Sequence, residues 1–249
     1  MHTILDYMKW RGDLTFEERP MNNIDFLICS IISYFPFELA IKDRDAVLTI
    51  EELYEEMVKK NVREKDFLLF HDVDLLKLLV KSKRYKDIEL TNFVSVTNID
   101  SEKQFAALTI LLPNNYIYVS YRGTDHSFVG WKEDFNMTYL DVVPAQQSAL
   151  EYLNKIKPRL FTKIFVGGHS KGGNLAIYAS LHCDMKIRAK IKHIFNYDGP
   201  GFLKDITESP EYQRIAPMIS TYVPQTSIIG RLLNCNEEYK VVKSNQKLV

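Results

Sequence analysis

The stretch Ile164-Phe-Val-Gly-Gly-His-Ser-Lys-Gly-Gly-Asn-Leu-Ala-Ile-Tyr-Ala179 constrains the fold of this chain more than any other. Ile164, Phe165 and Val166 read as a short buried strand, and Leu175 to Ala179 are helix formers placed to pack on a sheet. Between them, Gly168-His169-Ser170-Lys171-Gly172 fits the G-x-S-x-G pattern of a nucleophile elbow. The spacing has a chemical reason. A serine nucleophile stands on a sharp strand-to-helix turn in a strained backbone conformation, so its neighbours must be small. Glycines two before and two after it remove the Cβ atoms that would clash where strand and helix converge. The helix N-terminus then directs backbone N–H groups at the place where an oxyanion would form.

The chain has 249 residues, enough for one large α/β domain or a core with a helical appendage. Lysine plus arginine and aspartate plus glutamate balance at 32 each, so no field draws nucleic acid or an anionic membrane surface. The start lacks the basic flank and long apolar run of a signal peptide. The most apolar stretch, 24–37, is too short and too polar for a membrane span, which argues against stable membrane insertion. Cys29, Cys183 and Cys235 show neither metal-ligand spacing nor an even disulfide set, and a reduced, cytoplasmic location is the economical reading.

Residues 1–90 read as a helical N-terminal region, a possible cap over the site. Thr15-Phe-Glu-Glu18 and Thr49-Ile-Glu-Glu52 are capping boxes, the first cut short by Pro20. Asn22 or Asn23 caps a helix carrying Ile24, Leu27, Ile28, Ile31 and Ile32, and Asp72 is placed to cap one carrying Leu75, Leu76, Leu78 and Leu79. From about residue 91 to 249 the pattern turns to strands alternating with helices. Strands are expected at 93–96, 105–112, 116–121, 164–166, 191–197 and 238–243, and a helix over 145–160. That alternation implies a mostly parallel sheet with helices on both faces.

A serine needs a base, an acid to orient the base, and oxyanion donors. The elbow itself implies the Lys171 N–H as one donor, and Thr124, just past the Arg122-Gly123 strand end, is placed for the second. Asp198 ends an apolar strand before Gly-Pro-Gly, at the sheet edge where the elbow presents Ser170. An aspartate in such a turn also serves as a local hydrogen-bond acceptor, and Asp205 and Asp184 are alternatives in more polar loops. No histidine is a convincing base. His169 is adjacent to the serine and diverges from it, His193 starts its strand at the wrong end, and His182 lies roughly 18 Å along the helix. His126 shares the Thr124 loop and can approach the site, and His71 flanks a helix.

Taken together, Val119-Ser-Tyr-Arg-Gly-Thr124, Trp131, Asp134 and Gly168-His-Ser-Lys-Gly-Gly173 resemble the fungal-type (class 3) lipases of the α/β-hydrolase fold. Adding Ile4-Leu-Asp-Tyr-Met-Lys-Trp-Arg-Gly-Asp13 and Asn196-Tyr-Asp-Gly-Pro-Gly-Phe202, the chain looks closer to a bacterial family of lipase-like proteins of unknown function. The resemblance implies Ser170 as nucleophile and Thr124 and Lys171 as oxyanion donors. It also implies an α/β-hydrolase-like core over 91–249 that lacks its last strand and histidine segment. The lipases carry their acid in a segment resembling Thr226-Ser-Ile-Ile-Gly230; this chain has Ser227 there, which leaves Asp198 as the acid. Family members continue into a segment with a histidine, so a base is expected beyond Val249 or the site has lost it. The expected activity is that of a serine hydrolase on a small acyl ester or lipid-like substrate. A non-catalytic hydrolase-like binding module is the rival reading. No cofactor or metal is implied. Arg122 is expected to pair with Asp134 or Glu133, and Trp131 to lie in the core. Whether the substrate is an ester, thioester or amide, and what the oligomeric state is, stay open at this level.

Overall fold

The N-terminal helices begin where their caps dictate. In the computed structural model, which describes residues 3–244, Thr3, Asn22 and Thr49 each accept a backbone N–H and close a reciprocal box with Asp6, Asp25 and Glu52. They open α1 (Ile4–Arg11), α2 (Asn23–Ile32) and α4 (Ile50–Lys59); α3 (Phe37–Ala40) and α5 (Asp72–Lys81) complete the set. Thr15 and Glu18 bond reciprocally too, but Pro20 follows and only a turn forms. At α5 the cap position belongs to His71, and the Asp72 carboxylate turns back to accept the Leu69 N–H at 3.0 Å.

One buried charge ties these helices together. Asp25 accepts hydrogen bonds from Tyr7 and Tyr85 hydroxyls and from two nitrogens of Arg84, the shortest at 2.7 Å. Both ends of the ion pair are at most 1% exposed. Every lone pair being met, the pair holds α1, α2 and the end of α5 in one register.

Eight strands form a single sheet in sequential order: β1 (Leu48–Thr49), β2 (Glu89–Asn98), β3 (Lys103–Leu112), β4 (Tyr116–Tyr121), β5 (Lys163–His169), β6 (Ile191–Tyr197), β7 (Ile219–Pro224) and β8 (Tyr239–Val242). The first four pair antiparallel; β4 through β8 run parallel. Between them lie α6 (Phe128–Asn136), α7 (Pro144–Lys155), α8 (Lys171–His182), α9 (Met185–Arg188), α10 (Lys204–Thr207) and α11 (Pro210–Ile215).

This order decides which face needs covering. Parallel strands added one after another with crossovers of one hand send every crossover helix to the same side. There α7, α8 and α11 pack on Val119, Tyr121, Ile164, Val166 and Ile194. Alternate residues of the same strands, Tyr118, Phe165 and Phe195, point to the other face. No crossover helix reaches that face, and the N-terminal helices fill it: Phe26, Ile28, Cys29, Leu76 and Leu79 join those rings in one core. Phe26 stacks on Phe195 at 4.3 Å between centroids. Helices α1 to α5 thus form one layer of the α/β sandwich.

The helix expected to run to residue 160 stops at Lys155, because Ile156 is already extended (φ −60, ψ 131) ahead of Pro158. Leu160, expected inside, is 80% exposed. No helix among the described residues is long and apolar enough to cross a membrane.

Candidate active site

Strand β5 ends at His169 and helix α8 begins at Lys171, leaving Ser170 alone between them with φ 55 and ψ −135. An L-residue held there costs on the order of 1–3 kcal/mol, which the surrounding structure must offset. It does so on both sides. Ser170 N–H donates to the Tyr197 carbonyl at 2.9 Å, and Gly173 N–H donates to the Ser170 carbonyl at 2.8 Å. The flanking glycines are needed for approach. A Cβ on Gly172 would stand 2.1 Å from the Tyr121 carbonyl oxygen, and one on Gly168 would stand 2.4 Å from Gly172.

Lys171 faces two ways. Its amide is the first of α8 and has no carbonyl a turn earlier to bond. Its side chain runs inward, 1% exposed, and the ammonium donates to Glu133 Oε2 (2.8 Å), Gln104 Oε1 (2.8 Å) and the Gln104 carbonyl (2.9 Å). Glu133 also accepts from the Gln104 and Ala145 amides at 3.0 and 2.8 Å. The residue bearing the first amide is therefore clamped to β3, α6 and α7 at once.

Thr124 lies in the loop after β4, and its hydroxyl donates to the Asp134 carboxylate at 2.6–2.7 Å. Burial pushes the Asp134 carboxyl above the usual range, while Lys171 and this hydrogen bond pull it down. With its hydroxyl proton turned to Asp134, Thr124 has its backbone N–H as the remaining donor.

Asp198 immediately follows β6 at φ 61, its own N–H bonded to Tyr222 O at 2.8 Å. Its carboxylate accepts the Gly230 N–H at 3.1 Å and a hydrogen bond from the Ser227 side chain. Burial raises its pKa, and those two bonds oppose the rise. The fold thus sets Asp198 directly against Ser227, the position flagged in the sequence as departing from the lipase pattern. Asp184 and Asp205 are both exposed.

Each of the five described histidine rings is engaged elsewhere. His169 Nδ1 meets Tyr34, His193 Nε2 meets Ser220 Oγ, His126 Nε2 meets the Leu68 carbonyl, His182 packs on Tyr178, and His71 lies 3.9 Å from Asp74. Burial lowers the pKa of His169 to about 4, so this ring is neutral near pH 7.

A cavity of about 50 Å³ opens over the serine, lined by Asp134, Met137, Thr138, Pro200, Ile229 and Leu232 with Ser170 and Lys171. Beside it, α6 and its continuation present Phe128, Trp131, Phe135 and Tyr139 at helical spacing, all more than half exposed. Ile228, Ile229 and Leu232 are exposed apolar residues in the segment that forms another wall. A larger cleft of about 770 Å³ lies against Tyr116, Phe165 and His193, at the opposite edge of the parallel strands from Ser170.

Residues 79–249 match the Mbeg1-like family. The chain belongs to that family. Solved structures that share the fold of this Mbeg1-like chain include two lipases. M37 lipase is 17% identical over 84% of this chain and 69% of its own, with a TM-score of 0.51. A deletion variant of Rhizomucor miehei lipase with its propeptide is 14% identical over 89% of this chain and 67% of its own, with a TM-score of 0.53. No curated protein matches the chain. The lipase-like relation read from the motifs therefore holds for family and for fold.

In the Mbeg1-like chain two expectations about residues near the site fail. Arg122 pairs with Glu38 (3.3 Å) and Ser95 (3.1 Å), because Lys171 occupies Glu133 and Thr124 occupies Asp134. Trp131 is 68% exposed, since the buried face of α6 is Gly130, Glu133 and Asn136. Residues that sequence reading did not single out are Tyr34 and Gln104. Neither lies within a motif, and Tyr34 meets His169 across 135 positions of chain.

Proposed function

We propose that this protein is a serine hydrolase of the esterase or lipase type, acting on an acyl ester through Ser170. One observation carries the reading: a serine held at φ 55 between a buried strand and the first amide of a helix. An L-residue takes that conformation where the structure over-determines it, and such strain gathers at functional sites. In the proposed step Ser170 Oγ attacks the ester carbonyl, and the hydroxyl proton passes to the departing alcohol. The amides of Lys171 and Thr124 bind the oxyanion, and water then hydrolyses the acyl-enzyme. Asp198 takes the acid's role, held by Gly230 and Ser227. The exposed aromatic side of α6 beside the cavity favours a lipid-like ester over a small polar one. Three unpaired cysteines support the cytoplasmic location read from the sequence.

A second reading, a non-catalytic module that binds an acyl ligand, is favoured by the engagement of every described histidine away from Ser170. Hydrolysis of p-nitrophenyl esters of increasing acyl length separates the two. Turnover that is lost in Ser170→Ala supports the hydrolase. Saturable binding of the same esters without turnover, unchanged in Ser170→Ala, supports the binding module.

A further inference from the structure

We propose that Tyr34 is a positioning residue that fixes the oxyanion loop against the nucleophile, and that it does so with His169 in its Nδ1–H tautomer. The inference rests on the hydrolase reading for its catalytic consequence, and on the hydrogen-bond geometry of a buried ring for the tautomer.

Tyr34 follows α2 and is 2% exposed. Its hydroxyl touches three groups. Gly123 N–H donates to it at 3.0 Å, it donates to the His169 carbonyl at 3.1 Å, and His169 Nδ1 lies 3.0 Å away. Gly123 immediately precedes Thr124, and His169 immediately precedes Ser170. One phenol from the N-terminal layer therefore joins the ends of β4 and β5 at the residues next to the proposed oxyanion donor and nucleophile. The approach is tight. A Cβ on Gly123 would stand 2.2 Å from the Tyr34 oxygen and 3.1 Å from Ser170 Cβ.

Counting hydrogens settles the direction of each bond. A phenol has one hydrogen to give and two lone pairs to receive with. If that hydrogen goes to the His169 carbonyl, the lone pairs accept Gly123 N–H and His169 Nδ1–H, and all three contacts are bonds. If it goes instead to Nδ1, the phenol and the carbonyl face each other at 3.1 Å with no hydrogen between them. Only the Nδ1–H form of a neutral His169 satisfies the set, and burial keeps that ring neutral.

The Tyr34→Phe variant removes the acceptor of Gly123 N–H and frees the loop from the elbow. Nitrogen-15 NMR of the His169 ring near neutral pH reads the geometry directly. The wild-type chain is expected to show the proton on Nδ1, and Tyr34→Phe to move it wholly or partly to Nε2. Fluorophosphonate labelling reads the consequence. The first-order rate at saturation should fall about 10- to 100-fold in Tyr34→Phe, the size of effect expected from misplacing one oxyanion donor, while the half-saturation concentration is unchanged. A merely structural role would lower the fraction of chain that labels and leave that rate alone. Tyr118→Phe is the control, since Tyr118 is equally buried and bonds Ser30 of α2 at 2.6 Å; its saturated rate should match wild type. An Nε2–H proton in the wild-type chain, or an unchanged saturated rate in Tyr34→Phe, would overturn the proposal. A wild-type chain that does not label at all would overturn the hydrolase reading and the positioning role with it, while the NMR result would still decide the tautomer.

Discussion

Glu133→Ala should be among the most damaging single substitutions in this protein, although Glu133 touches no proposed reacting atom. Its carboxylate accepts Lys171 Nζ at 2.8 Å and two backbone amides, and both members of the ion pair are at most 1% exposed. Truncation leaves the Lys171 ammonium buried without its ion-pair partner, a loss of about 3–5 kcal/mol. The orphaned Gln104 and Ala145 amides move the figure toward the upper end of that range, because each unsatisfied buried N–H costs about 1–3 kcal/mol unless water reaches it. For a chain of this size that corresponds to a fall in Tm of roughly 6–20 °C. Urea unfolding followed by far-UV circular dichroism is the assay, with an unchanged m-value as the sign that two-state behaviour survives. The double variant Glu133→Ala/Lys171→Met should recover part of the loss, because it removes the stranded charge as well as its partner. A cost below about 1 kcal/mol, the level of an exposed pair, would refute the argument that this clamp holds the elbow.

Further outcomes follow from other parts of the site. Gly172→Ala places a Cβ against the Tyr121 carbonyl, a backbone atom that cannot swing aside, so it should cost at least about 1–3 kcal/mol by thermal unfolding. Burial pushes the Asp72 carboxyl up to about 7 against the single Leu69 N–H that favours its ionised form. Between about pH 4 and 7 the folded chain keeps a proton that the unfolded chain has lost, so stability falls as pH rises through that window and levels off above it. Asp72→Asn, measured by denaturation at several pH values, should remove that slope and be the more stable form above pH 7 by up to about 4 kcal/mol. If Asp198 is the acid, Asp198→Asn should lower ester turnover by up to about 10⁴-fold while the fold is retained by circular dichroism.

The elbow was legible because its signal is local: a β-branched run, two glycines around a serine, and a helix-forming run within sixteen residues. The capping boxes at Thr15 and Thr49 were legible for the same reason, each being complete within four residues. What escaped was whatever depends on which face a side chain takes after the sheet assembles. Arg122 is followed in sequence by a helix bearing Glu133 and Asp134, yet its side chain lies on the α3 side and meets Glu38. Trp131 has the composition of a core residue, but helix α6 spends its buried face on Gly130, Glu133 and Asn136. The N-terminal helices carried clear amphipathic patterns without stating what they cover. Sequential strand order answers that, by leaving one sheet face without crossover helices.

If the hydrolase reading holds, the backbone around Ser170 presents an activated nucleophile. Intact-mass analysis after fluorophosphonate treatment, with peptide mapping of the adduct, tests it most directly. One adduct per chain is expected, mapped to Ser170 and absent from Ser170→Ala. A folded chain that takes no adduct, or one whose adduct persists in Ser170→Ala, would contradict it.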